Sequence, residues 1–169
     1  MCFLHVSNAI IDNDPPVMLI YTQTKKENSM SQGTFKEIGD SAEPMYGPRA
    51  MLVCGFTAFE QETVMSLIDN VELTDVPVII ATTADAEKRL GDLLTRTDQA
   101  GLGAQSDMAR AIVMSGITAD ELNRIILAYR SSGLPRPLWA TLTPVSENWQ
   151  LAGLLEELNK ERLAMEKSK

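Results

Sequence analysis

Residues 111–158 read AIVMSGITADELNRIILAYRSSGLPRPLWATLTPVSENWQLAGLLEEL, and their order is strand, capped helix, glycine stop, second strand, Thr-Pro turn, second helix. Ala111-Ile-Val-Met114 is a short apolar run rich in strand formers, ended by Ser115-Gly116. Thr118-Ala-Asp-Glu121 is a capping box. The Thr118 hydroxyl can accept from the Glu121 N–H, and the Glu121 carboxylate from the Thr118 N–H. Leu122, Ile125, Ile126 and Tyr129 follow at helical spacing. Gly133 supplies the left-handed residue that stops the helix, and Pro135 prevents its resumption. From Leu138 to Thr143 the side chains alternate, with Leu138, Ala140 and Leu142 on one face and Trp139, Thr141 and Thr143 on the other. Pro144 closes that strand. Leu151, Leu154, Leu155, Leu158 and Leu163 then form a helical stripe with charge opposite.

The same plan stands earlier in the chain. Leu52–Ala58 aligns with Val113–Ala119 when Gly55 is matched to Gly116, an offset of 61 (116 − 55 = 61). Thr57-Ala-Phe-Glu60 is the matching capping box. Val78–Thr82 matches Leu138–Thr141 with a two-residue gap, and Leu90, Leu93 and Leu94 return to the offset of 61. Two βαβα units, a tandem duplication closing on one sheet around a pseudo-twofold axis, account for this. The competing account is a chance likeness between two ordinary βαβ units.

The expected fold is therefore α/β: a mainly parallel four-stranded sheet with flanking helices, built from two βαβα repeats with right-handed crossovers, plus a flexible N-terminal arm. Residues 1–48 form the arm and 49–169 a single domain. Repeat one spans about 51–97 and repeat two about 109–158, followed by a charged helical tail to 169. Strands are expected at 51–55 and 77–82, a helix at 58–71, and a second helix capped by Asp85 and running to about Thr95. The arm is rich in turn and disorder composition, such as Asp12–Pro16, Lys25–Ser29 and Ser31–Gly33. Val17–Tyr21 reads as a stray strand with no clear partner. The arm lacks the basic start of a secretory signal and the Arg content of a transit peptide.

The chain of 169 residues is 44% hydrophobic, enough for one core. Its net charge of −8 opposes general binding to nucleic acid or anionic membranes, which draws on Lys and Arg. No apolar run approaches the roughly 20 residues of a membrane span. Cys2 and Cys54 are the only cysteines and form no disulfide framework, so a soluble, intracellular, reducing setting is expected.

Ile112–Gly116, Thr118–Glu121, Gly133–Pro137, Trp139–Pro144, Asn148-Trp149 and Leu154-Leu155 together resemble the uncharacterised family numbered 3783 among the domains of unknown function. That resemblance implies a fold but no activity. More distantly, the layout is similar to plant plastid accessory proteins with such a domain, which implies a plastid stroma that the arm does not support.

Two groups of residues are candidates for function. In a parallel sheet, ligands bind beyond the carboxyl ends of the strands. Gly55, Thr57, Thr82, Ser115, Gly116, Thr118 and Thr143 would form a rim of hydroxyls and helix N-termini there, suited to an anion or small molecule. The competing reading is that Thr57, Thr118 and Thr143 or Ser146 only cap helices. The second group is Pro135, Arg136, Pro137 and Trp139, where Trp and Arg are interface anchors and proline lowers the cost of ordering. Its competing reading is a rigid connection with Trp139 packed beneath the fourth helix or a neighbour.

No Gly-rich phosphate fingerprint, nucleophile–base pair or zinc ligand set stands in the sequence. His5 is the only histidine. Asp85, Asp120, Glu121 and Glu147 are first-turn acids that suit a helix dipole. No cofactor, metal or catalytic residue is expected. The sequence favours a non-enzymatic interaction module or accessory factor that binds another protein, with an anion sensor second and an enzyme least supported.

Overall fold

The computed structural model describes residues His5–Val6, Ile20–Tyr21 and 42–167. β1 (His5–Val6) and β2 (Ile20–Tyr21) pair antiparallel with each other, so the last two residues of the strand expected at Val17–Tyr21 have a partner, and 17–19 lie outside the described residues. The remainder of the expected flexible arm, up to residue 41, lies outside the described residues.

Four further strands make one sheet: β3 (Ala50–Cys54), β4 (Val78–Ile80), β5 (Ala111–Ser115) and β6 (Leu138–Thr141), in the order β4-β3-β5-β6. β3–β4 and β5–β6 are parallel pairs, as βαβ connections require. The central pair is not: β3 and β5 run antiparallel, from Ala50 opposite Ser115 to Cys54 opposite Ala111. The sheet is mixed, which corrects the expectation of a mainly parallel one. Strand–helix alternation constrains only the strands within each crossover. The junction between the two pairs is governed by long-range pairing, and here the two most buried five-residue strands lie side by side.

All five residues of β3 and all five of β5 are buried, because helices cover both faces of the sheet. Pleating sends alternate side chains to opposite layers. Met51, Val53, Ile112 and Met114 pack with α1 (Ala58–Asn70) and α3 (Ala119–Ser131). Ala50, Leu52, Cys54, Val113 and Ala140 pack with α2 (Leu90–Leu93) and α4 (Leu151–Lys167). The alternation expected for 138–142 holds: Leu138, Ala140 and Leu142 join the α2/α4 layer and Trp139 the other.

Positions 61 apart share their pairing register. Met51, Leu52 and Val53 stand opposite Val78, Ile79 and Ile80; Ile112, Val113 and Met114 stand opposite Trp139, Ala140 and Thr141. The two-residue gap between the second strands is therefore not needed. Residue types alone call for the gap, and ladder positions do not.

The helix expected from Asp85 to about Thr95 is broken into a 3-10 turn at Thr83–Asp85 and the short α2. The reason is a backbone clasp. The Leu90 N–H donates to the Trp149 carbonyl at 3.0 Å and the Leu151 N–H to the Lys88 carbonyl at 3.0 Å. Arg89 and Gln150 thus bridge antiparallel, which extended backbone can do and helix cannot. α4 buries Leu151, Leu154, Leu155 and Leu158, but Leu163 is exposed. No helix among the described residues is long and apolar enough to cross a membrane.

Residues just before β3 already belong to the packed body. The Met45 N–H donates to the Ile117 carbonyl at 2.8 Å, and the Tyr46 carbonyl accepts from Gly116 N–H at 3.2 Å.

Candidate functional site

The rim residues are divided between the two ends of the sheet. Because β3 and β5 are antiparallel, their carboxyl ends point in opposite directions. Gly55, Thr57 and Thr82 lie at one end; Ser115, Gly116, Thr118 and Thr143 lie at the other. No single hydroxyl-lined rim exists.

The hydroxyls at each end also have partners. Thr57 accepts from the Glu60 N–H, and the Glu60 carboxylate accepts from the Thr57 N–H at 2.8 Å. Thr118 and Glu121 form the same box, with the Thr118 N–H to Glu121 at 2.7 Å. Thr143 and Ser146 hydrogen-bond each other through hydroxyls and backbone. The Thr82 N–H donates to Asp85 at 2.8 Å. Ser115 Oγ reaches the Tyr46 carbonyl. Gly55 and Gly116 take positive φ of 72° and 62°. A Cβ on Gly116 would meet the backbone of residues 47–49, and one on Gly55 the backbone of residues 108–110.

One arginine at each end pairs with the acid that caps the helix there, and neither pairing was legible from the linear order. Arg49 precedes β3 and donates to both Glu121 oxygens, at 2.9 and 2.7 Å. It also holds Asp75 at 2.6 Å. Arg110 precedes β5 and binds Glu60 at 2.9 Å, its guanidinium 4.6 Å from the centre of the Phe56 ring. Hydrogen bonding from Arg49 holds the Glu121 carboxyl down at about 2, and Glu121 in turn raises Arg49. Burial works against the charge on Glu60, but Arg110 and Thr57 hold its carboxyl below the usual range. These arginines stabilise acids that cap the opposite unit's helix.

Among the described residues, Asp85 is the most enclosed charge, with only 2% of its side chain exposed. Arg96 clasps it with two bonds of 2.8 and 3.0 Å, and Lys88 adds a third at 2.7 Å. Burial opposes ionisation, yet Arg96, Lys88 and Thr82 together hold the carboxyl well below its ordinary value. Cys54 lies nearby in the core, its thiol pushed up to about 12 by burial and by the charge of Asp85.

The second candidate group is one continuous structural feature. α3 ends at Ser131, and Gly133 takes φ of 76° to turn the chain. The Tyr129 hydroxyl donates to the Pro135 carbonyl at 2.6 Å, pinning the connection to the helix it leaves. The Leu138 N–H donates to the Arg110 carbonyl at 2.9 Å and starts β6 at the sheet edge. Pro135 and Arg136 are exposed, Pro137 is buried and Trp139 is half-buried. The Trp139 ring meets Tyr129 edge-on at 5.2 Å, and Tyr129 meets Phe56 at 6.3 Å. Trp139 therefore packs on α3, not beneath the fourth helix, because its strand position faces the α1/α3 layer. Burial pushes the Tyr129 phenol up to about 12, so it stays a donor.

Residues 110–165 match the family model of DUF3783, a domain of unknown function, the family that 111–158 resembles. The match takes in β5, α3, β6, most of α4 and the whole Tyr129–Trp139 connection. No curated protein and no solved structure matches the chain.

Proposed function

We propose that this chain is a non-enzymatic protein-interaction module, an accessory factor that binds another protein through the Pro135–Trp139 edge. One observation carries the reading. Exposed Pro135 and Arg136 sit on a connection pinned by Tyr129 and continuous with a half-buried Trp139 at the edge of the sheet. A surface held rigid before binding loses little entropy on association, and Trp and Arg are the side chains that dominate such contacts. Anion sensing is the weaker alternative, since it needs the rim residues at one place and they occupy two. A tandem duplication fits the shared register and paired arginines 61 residues apart. A reducing intracellular setting fits the free, buried Cys54, and a plastid rests on resemblance alone.

The test is quantitative capture from native extract. Arg136→Ala should lower recovery of a specific partner by tenfold or more while the variant still unfolds in one cooperative transition, because a central interface Arg contributes about 2 kcal/mol. Equal recovery by wild type and Arg136→Ala overturns this assignment of the edge.

A further inference from the structure

The two halves of the sheet hold equivalent arginines that are bonded unequally. Arg49 and Arg110 stand at the offset of 61, each just before a central strand. Each pairs with the acid of a capping box, Glu121 and Glu60, which keep the same offset. Arg49 has a second acid. Its Nε and Nη2 donate to the two oxygens of Asp75, at 2.6 and 3.2 Å. Its Nη1 donates to Glu121 at 2.9 Å, so all three nitrogens of that guanidinium are bonded.

The position 61 beyond Asp75 is Arg136. Both lie three residues before a matched ladder position, Val78 opposite Met51 and Trp139 opposite Ile112. Both are exposed, and each precedes a buried residue, Val76 or Pro137. The bond from the Leu138 N–H to the Arg110 carbonyl holds this connection beside Arg110. The exchange reverses the local charge. The first unit sets two carboxylates and one arginine at these positions; the second sets one carboxylate and two arginines.

The consequence is visible at Arg110. Its Nη2 reaches Glu60, but Nη1 is buried and has no hydrogen-bond partner among the described residues. An enclosed guanidinium N–H without an acceptor is unfavourable, and a carboxylate is the acceptor whose charge and geometry suit it. The group belongs to the same edge: Arg110 lies over the Phe56 ring, Phe56 meets Tyr129, and Tyr129 meets Trp139.

We infer that the Pro135–Trp139 edge recognises an acidic segment of its protein partner, whose Asp or Glu side chain takes the carboxylate position that Asp75 fills in the first unit and bonds Arg110 and Arg136. The inference rests on the proposed binding edge and adds the chemistry of what binds there.

NMR titration of the full chain with a capped hexaglutamate peptide tests it, with hexaglutamine as the control. Hexaglutamate should shift the Arg110 side-chain, Arg136 and Trp139 indole signals saturably, and hexaglutamine should not. Arg136→Asp places the missing carboxylate in the chain itself. It should weaken hexaglutamate binding by about tenfold or more, through loss of a charge-assisted contact. The carboxyl it introduces should titrate below the ordinary Asp range, as Asp75 does beside Arg49. Arg162→Asp, the same charge change on α4 in the opposite layer, should leave the affinity unchanged. The inference is overturned by the absence of saturable shifts, by equal weakening in the two variants, or by an introduced carboxyl of ordinary titration.

Capture from extract separates this result from the edge itself. If Arg136→Ala loses the partner but hexaglutamate does not compete for it, the edge stands and the acidic segment is overturned. If Arg136→Ala captures the partner as wild type does, the edge falls and this inference with it.

Discussion

Arg49 and Glu121, 72 residues apart in sequence, form a bidentate ion pair in which the acid also caps the helix it begins. The Glu121 side chain is only 14% exposed, so solvent screens the pair weakly. Its carboxyl stands at about 2 when folded, below the unfolded value of about 4.3. A depressed acid contributes stability that is present above the unfolded value and lost as pH falls toward the folded one. Stability should therefore decline between about pH 5 and pH 2. Arg49→Ala should cost on the order of 2 kcal/mol at pH 7 and flatten that acid limb. Urea melts at stepped pH decide it; an unchanged acid limb counts against the pair.

Thr118→Ala and Thr57→Ala should each cost about 1 kcal/mol through loss of a helix cap. Equilibrium denaturation of both variants checks the assignment. A loss of only a few tenths at both positions would contradict it.

Three glycines separate strain from crowding. Gly55, Gly116 and Gly133 all take positive φ, but a Cβ on Gly133 would meet nothing within 4 Å. Gly133→Ala should cost about 1–2 kcal/mol from backbone strain alone. Gly116→Ala adds a Cβ 2.7 Å from the Arg49 nitrogen and should cost about 3 kcal/mol or more, with Gly55→Ala similar. Thermal melts of the three variants rank them.

Trp139→Ala removes a half-buried ring packed on Tyr129 and should destabilise by about 3 kcal/mol. Tyr129→Phe keeps the ring but loses the bond to the Pro135 carbonyl, at a cost of about 1 kcal/mol. Chemical denaturation distinguishes them, and equal losses would mean that the ring contact carries little.

A chain begun at residue 49 should melt at least about 5 °C below one begun at residue 42. The difference is the contribution of Met45 and Tyr46, bonded to Ile117 and Gly116. Matching midpoints would show that these bonds contribute nothing.

Locally encoded features were readable from residue order alone. Thr57 and Thr118 cap the helices they were expected to cap, and Gly133 takes the left-handed turn. The apolar spacing of Leu122, Ile125, Ile126 and Tyr129 foretold their buried face. Each depends on groups within a few residues, where geometry follows from chain chemistry. The direction of β5 against β3 depends instead on pairing between residues about 60 apart, and no local signal states it. That one direction divided the rim into two ends. It also brought Arg49 to Glu121 and Arg110 to Glu60, and made Trp139 an edge residue facing α3. The candidate edge was legible as composition, Pro-Arg-Pro-Leu-Trp. The Tyr129 bond that pins it was not, because six residues of turning chain bring the phenol back to Pro135.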